Sequence, residues 1–136
     1  QRGNTVGAVA LDRHGTIAAA TSTGGSPGKL SGRVGDSALI GCGTYAESTL
    51  AGVSCTGDGE AIIRVVLARR VLEILKALDN PEHAARVAMD VLTEEGRGQG
   101  GVIVLDWRGR TALAHSTPFM PVGWINPSQD TPVFSF

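Results

Sequence analysis

Between residues 60 and 78, Ile63, Val66, Leu67, Val71, Ile74, Leu75 and Leu78 recur at steps of three and four. That period is helical. Arg64, Glu73 and Lys76 fall on the other side, so the spacing predicts one amphipathic helix that must bury a face against a neighbouring element. A second helix follows at once. Asn80-Pro81-Glu82 offers a cap and a first-turn proline, and the helix is expected to run to about Glu95 with Gly96 as its stop. Its inward residues are expected to be Val87, Ala88, Val91 and Leu92.

What the helices pack on is written on either side of them. Thr5 to Leu11 is an apolar run of strand length, Asp12-Arg13-His14-Gly15 supplies turn chemistry, and Thr16 to Thr21 resumes the run. This reads as a β-hairpin turning at Arg13-His14. Gly101 to Asp106, a turn at Trp107 to Arg110, and Thr111 to His115 read as another. Ala51 to Cys55 is a shorter strand. The small residues in these runs suit a sheet held between two layers. The order strand, strand, strand, helix, helix, strand, strand predicts an α/β layered fold of the α+β kind, with the helices on one side of a mostly antiparallel sheet. The tail beyond Thr117, with Pro118, Pro121, Pro127 and Pro132, is expected to be irregular and to line an edge.

Charge and composition narrow the function classes. A chain of 136 residues fits one domain, and its net charge of -1 provides no basic field to draw in nucleic acid or an anionic membrane. No apolar run approaches a membrane span, and Gln1-Arg2-Gly3-Asn4 is not a signal peptide. A cytoplasmic protein without nucleic-acid or membrane partners is the expectation. Cys42 and Cys55 are too few for a disulfide scaffold and are expected to be reduced thiols, one or both buried. His14, His83 and His115 form no ligand cluster, so no metal site is expected in this chain.

Nineteen glycines stand against two Trp, one Tyr and three Phe. They concentrate in residues 24–43, 57–59 and 96–101, as chemistry that needs close backbone approach requires. Three segments pair hydroxyls with these glycines: Thr21-Ser22-Thr23-Gly24-Gly25, Gly32-Arg33-Val34-Gly35-Asp36-Ser37, and Ser54-Cys55-Thr56-Gly57-Asp58-Gly59-Glu60. With the hairpin turning at Arg13-His14, residue 5 faces residue 22, and Thr23 lies within a residue of Thr5. The last segment leads from a strand into a helix, and amide groups opened by Gly57 and Gly59 suit an anion or oxyanion. Arg33 and Asp36 offer a cation and an anion three residues apart, complementary to the α-carboxylate and α-ammonium of a free amino acid. Singly, each has an ordinary explanation: a β-forming threonine, a strand-end turn, a solvated surface pair, a helix cap.

Taken in order and at these distances, TVGAVALD, TSTGG, GRVGDS and SCTGDGE resemble the plant-type asparaginase and isoaspartyl peptidase family, and the related glycosylasparaginases. The resemblance is close from Thr5 to Glu60, and the helix pair and final hairpin fit the same layout. It implies a four-layered αββα N-terminal-nucleophile hydrolase. In that family a precursor cuts itself before a threonine, here between Asn4 and Thr5. Residues 1–4 would then be the end of an α portion and residues 5–136 the β portion.

Carried over residue by residue, Thr5 would be the nucleophile and Thr23 would tune its hydroxyl. Thr56 (hydroxyl) and Gly57 (backbone N–H) would form the oxyanion hole. Arg33 would hold the substrate α-carboxylate, Asp36 the α-ammonium, and Gly59 would add a backbone contact. The resemblance further implies no organic cofactor, a structural sodium ion in the α portion, and a homodimer of αβ units. The substrate would be L-asparagine or a β-aspartyl dipeptide. Glycosylasparaginase is the nearest rival, disfavoured by TSTGG, and a silent amino-acid-binding homologue is a rival of another class. Members commonly carry Gly or Asp before the nucleophile; Asn4 keeps the size of Asp without its charge, which bears on the rate of self-cleavage. The position of Asp58 varies among members, and its carboxylate is expected to influence substrate preference.

Overall fold

A computed structural model describes residues 4–136. In chain order its elements are β1 (Thr5–Leu11), β2 (Ile17–Thr23), a short 3-10 turn (Asp36–Ala38), β3 (Thr44–Glu47) and β4 (Ala51–Gly57). Helices α1 (Gly59–Val65), α2 (Leu67–Leu78) and α3 (Pro81–Glu94) follow, and then β5 (Gly100–Asp106), β6 (Thr111–His115), β7 (Val122–Trp124) and β8 (Val133–Ser135). All strand pairs are antiparallel, in sheets β1-β2, β3-β4-β5-β6 and β7-β8. The β1-β2 hairpin lies across one face of the four-stranded sheet, and α2 and α3 cover the other. The α+β layered class expected from the sequence is thus present, as three layers.

Strand alternation explains the layering. Val53 and Cys55 of β4, with Val102 and Val104 of β5, face the helices and join Leu67, Val71, Leu72, Leu75, Ala88 and Leu92 in one core. Each buried Val or Leu contributes about 1.5–3 kcal/mol. Both cysteines are free thiols in or beside this core, and burial pushes the Cys55 thiol well above its ordinary range.

The opposite face of β4 carries Gly52, Ser54 and Thr56, residues small enough to let the hairpin close on it. A Cβ on Gly52 would sit 2.7 Å from Ile17 Cγ2, and one on Gly7 would overlap Ser54 Oγ. The hydroxyls trapped in this interface satisfy one another. Thr21 Oγ1 lies 2.6 Å from Ser54 Oγ and 3.1 Å from the Gly43 carbonyl.

The helical period over 60–78 conceals a break. Val66 adopts a left-handed conformation (φ 51°, ψ 52°) and splits the expected single helix into α1 and α2. The interruption frees first-turn amides of α2, so that Ala68 N–H donates to Cys42 O at 2.9 Å and Arg69 N–H to Gly41 O at 2.8 Å. The glycine-rich loop is thereby fastened to the helix start. Val66 and Leu78, read as inward, are 45% and 41% exposed, whereas Ile62, Val65, Ala68 and Leu72 are buried.

α3 keeps its expected start, with Asn80 Oδ1 accepting from His83 N–H at 3.0 Å and Pro81 opening the helix. Val87 and Val91 lie at the margin of its buried face, and Ala84, Ala85 and Met89 are buried with Ala88 and Leu92. The sequence reading lacks β3, only four residues long, and the β7-β8 hairpin within the proline-rich tail.

In the first hairpin the register differs by one from the expectation. Leu11 pairs with Ile17 and Thr5 with Thr23. Asp12 Oδ1 accepts from both His14 N–H and Thr16 N–H at 2.8 Å, and Gly15 takes φ 82°. This lengthens the connection by one residue beyond a turn centred on Arg13-His14. A one-residue change matters, because it decides which side chains share a face.

Candidate active site

The corrected register sets Thr5 and Thr23 directly opposite, side chains on one face. Thr5 Oγ1 donates to Thr23 Oγ1 at 3.3 Å. Thr23 Oγ1 in turn donates to the Asn4 carbonyl at 3.1 Å and accepts from Gly25 N–H at 3.0 Å. One donor and two acceptor positions exhaust the Thr23 hydroxyl, which is therefore held in a single orientation. Gly25 reaches back with φ 80°, a conformation natural to glycine, which accounts for the GG that ends TSTGG. By contrast the contact from Thr5 is long for a hydroxyl pair, so its oxygen is only loosely engaged.

Thr5 opens onto a cleft of about 140 Å³ that it shares with Ser54, Thr56, Gly101, Ile103 and Met120. Thr56 and Gly57 end β4. A Cβ on Gly57, at φ 139°, would overlap Gln99 O and Gly100 Cα, so only glycine allows β4 and β5 to meet at this end. The clusters at 57–59 and 96–101 thus touch, and the close backbone approach expected of them is between their own two chains. α1 begins at Gly59 and has only seven residues. The oxyanion reading consequently rests on the Gly57 amide and Thr56 hydroxyl rather than on a helix start.

A second group gathers at Gly59. A Cβ there would lie 2.8 Å from Arg33 Nη2 and 2.9 Å from Asp36 Oδ1. Arg33, Asp36 and Gly59 therefore form one cluster, as the three motifs require, and the strand end Thr56-Gly57 links it to Thr5. Asp36 is 7% exposed, and its Oδ2 has no hydrogen-bond partner among the described residues. Burial raises its carboxyl above the ordinary range, opposed by its own backbone amide and by the Arg33 charge.

Glu60 is a participant that sequence spacing did not single out. Arg33 Nε donates to Glu60 Oε1 at 2.7 Å and Arg33 Nη2 to Glu60 Oε2 at 3.0 Å. The fork holds the Glu60 carboxyl below its ordinary range and raises the Arg33 guanidinium further. Twenty-seven residues separate the pair, and no local signal reports a contact at that distance. Glu60 occupies one edge of the guanidinium; among the described residues both Nη1 protons and one on Nη2 have no partner, which is compatible with binding a carboxylate. Asp58, between the glycines, turns its carboxylate to Gln99 N–H at 2.8 Å. The expectation that it influences substrate preference from beside the ligand has no support in that orientation.

Among the described residues no group of three or more His, Cys, Asp or Glu could hold a metal ion, and no helix is long and apolar enough to cross a membrane.

Two stacked antiparallel sheets with helices on one outer side suit the N-terminal-nucleophile hydrolase fold, and the threonine pair sits at the open end of the first hairpin. The asparaginase family model matches residues 1–134, and the chain belongs to that family. It is 46% identical over 134 residues to an isoaspartyl peptidase of Escherichia coli, covering 97% of this chain and 41% of the relative. To an isoaspartyl peptidase/L-asparaginase of Danio rerio it is 45% identical over 125 residues, 92% of this chain and 40% of the relative. To a plant-type L-asparaginase of Pyrobaculum calidifontis it is 44% identical over 127 residues, 93% and 42% respectively. The chain thus spans about two fifths of the length of these curated relatives.

Proposed function

We propose that this chain is the β portion, residues 5–136, of a threonine-nucleophile amidohydrolase that cleaves the side-chain amide of L-asparagine, β-aspartyl peptide bonds, or both. The observation that carries the reading is the chain of contacts from Thr5 Oγ1 to Thr23 Oγ1 to Asn4 O, at 3.3 and 3.1 Å. It supports the reading because one hydroxyl, that of Thr23, contacts both the Thr5 oxygen and the carbonyl of the peptide bond that would break first. Of the segment assigned to the end of the α portion, Gln1 to Gly3 lie outside the described residues, and Asn4 is the residue that bears on the chemistry.

Activation comes first. Thr5 Oγ attacks the Asn4 carbonyl carbon, charge develops on the carbonyl oxygen, and the Thr23 hydroxyl already donates to that oxygen. The C–N bond breaks as the Thr5 hydroxyl proton passes to the departing nitrogen, the acyl group is left on oxygen, and water hydrolyses the ester. This leaves the Asn4 carboxylate and a free Thr5 amine. An amide nitrogen has no useful basicity, but a freed α-amine with a pKa of about 8 can take the Thr5 hydroxyl proton. Cleavage therefore supplies the base that the threonine needs.

In the mature site Arg33 binds the substrate α-carboxylate, Asp36 receives the α-ammonium, the Gly59 backbone adds a contact, and the side-chain carbonyl comes to Thr5. Attack forms a tetrahedral oxyanion that accepts from Thr56 O–H and Gly57 N–H. Its collapse expels ammonia, or the amine of a peptide, and leaves an ester on Thr5. Water then releases aspartate. No organic cofactor enters these steps. The α portion of the same precursor supplies the remaining layers and the sodium-binding loop, and two αβ units pair.

Mass spectrometry of the full-length precursor tests this directly. Two fragments divided at Asn4–Thr5 are expected, together with ammonia from asparagine or aspartate from β-aspartyl-leucine. Release of glycan from glycosylasparagine in preference to both would transfer the reading to that branch. A chain that stays intact, binds asparagine and never hydrolyses it would make this an amino-acid-binding homologue.

A further inference from the structure

Asp58 is used by none of the steps above, yet it makes two bonds to one distant residue. Its N–H donates to the Gln99 carbonyl at 2.8 Å, and its Oδ2 accepts from Gln99 N–H at 2.8 Å. We propose that Asp58 is a positioning residue that holds the Thr56-Gly57 oxyanion donors in place by clamping the end of β4 to the 96–100 loop. The proposal rests on the hydrolase reading of Thr56 and Gly57.

The loop it grips is itself anchored. Gly96 N–H donates to Val91 O at 3.0 Å and Gly98 N–H to Leu92 O at 3.2 Å, both at the end of α3, and Arg64 donates to Gly96 O. Gly98 has no room for a side chain, since a Cβ there would overlap Ala61 and lie 3.1 Å from Asp58 Cβ. Rigidity is thus passed from a packed helix end, through Gln99, to Asp58.

The Gly57 amide belongs to the peptide unit immediately before the one Asp58 holds. Rotations about the Gly57 N–Cα and Cα–C bonds set how one plane lies relative to the other. Without the carboxylate, residue 58 is tied to Gln99 through its N–H bond alone, and the glycine beside it is the residue least able to resist such rotation. An oxyanion donor helps only at the position where the charge develops, so this freedom acts on the transition state rather than on substrate binding. The carboxylate is needed as an acceptor, not as a charge.

The test uses the full-length, self-processed protein with Asp58→Ala and Asp58→Asn, steady-state hydrolysis of L-asparagine, and amide hydrogen exchange across residues 97–100. Asp58→Ala is expected to lower kcat by about ten- to a hundredfold with little change in KM. Asp58→Asn, whose Oδ1 can accept the same proton, is expected to restore most of it. Exchange at Gln99 should accelerate in the alanine variant and stay slow in the asparagine variant. Asp58→Glu, which keeps the charge but changes the reach, should also lower kcat and serves if the alanine variant does not fold.

Wild-type kcat in Asp58→Ala or Asp58→Glu, or a loss shared by kcat and KM without rescue by asparagine, would overturn the role. A wild-type protein that hydrolyses nothing would instead remove the hydrolase reading. The exchange measurement then decides the clamp by itself, with unchanged protection of Gln99 in Asp58→Ala counting against it.

Discussion

Thr23 stands directly opposite Thr5 across the first hairpin, and its hydroxyl donates to the carbonyl of the residue before Thr5. One side chain therefore touches both the proposed nucleophile and the bond that blocks it. Thr23→Val removes the donor and the acceptor while keeping the shape. Self-cleavage of the full-length precursor should slow by about a hundred- to a thousandfold, the scale of losing one oxyanion donor. Fragment appearance followed by electrophoresis measures it, and wild-type timing would rule out that contribution.

At the other end of the site Thr56 is the cleaner test of turnover. Thr56→Ala should cost about 2.7–4 kcal/mol in the barrier to asparagine hydrolysis, and Thr5→Ala should abolish both processing and turnover. Turnover by Thr56→Ala within about tenfold of wild type would contradict its place in the oxyanion hole.

Glu60 should act on binding. Its carboxylate fixes one edge of Arg33 at 2.7 and 3.0 Å and leaves the other edge for substrate. Glu60→Gln is expected to raise KM several-fold with a smaller effect on kcat, because a loosened guanidinium weakens ground state and transition state alike. A fall in KM would mean instead that Glu60 competes with substrate for Arg33.

Asp36 should show stability opposed to function. Burial raises its folded-state carboxyl above the ordinary value of 3.8. The sign follows from linkage: stability is fully present below the unfolded pKa and is lost as pH rises through the higher folded pKa. At neutral pH the ionised group is thus a burden on the fold. Asp36→Asn should raise the thermal midpoint at pH 7, show a smaller gain at pH 3, and bind substrate poorly. A lower midpoint at pH 7 would contradict this account.

Gly7 tests the contact between the sheets. A Cβ there would overlap Ser54 Oγ and come within 2.9 Å of Ser54 Cβ. Gly7→Ala should destabilise by about 1–3 kcal/mol, the usual range for overpacking, in urea titration of the full-length protein. Ser54→Gly in the same background should recover part of the loss.

Much of this was readable in order along the chain. Asn80-Pro81 marked the start of α3, apolar runs on either side of turn residues marked the two hairpins, and four motifs in sequence pointed to the family to which the chain belongs. Such features are local, or repeat with a fixed period, so neighbouring residues suffice to express them. Val66 escaped for the same reason. Its apolar side chain fits the helical period, and the break there answers to carbonyls at Gly41 and Cys42, which the period cannot report.

Residue types at Thr5, Thr23, Arg33, Asp36, Thr56 and Gly57 marked the candidate site along the chain. Folding decided how those groups meet. Asp12 lengthened one turn and so brought Thr23, rather than Ser22, opposite Thr5. Long-range closure joined Arg33 to Glu60 and Asp58 to Gln99, pairs 27 and 41 residues apart. Hydrogen bonds are short and directional, so a contact between distant residues exists only once the sheets and loops are packed.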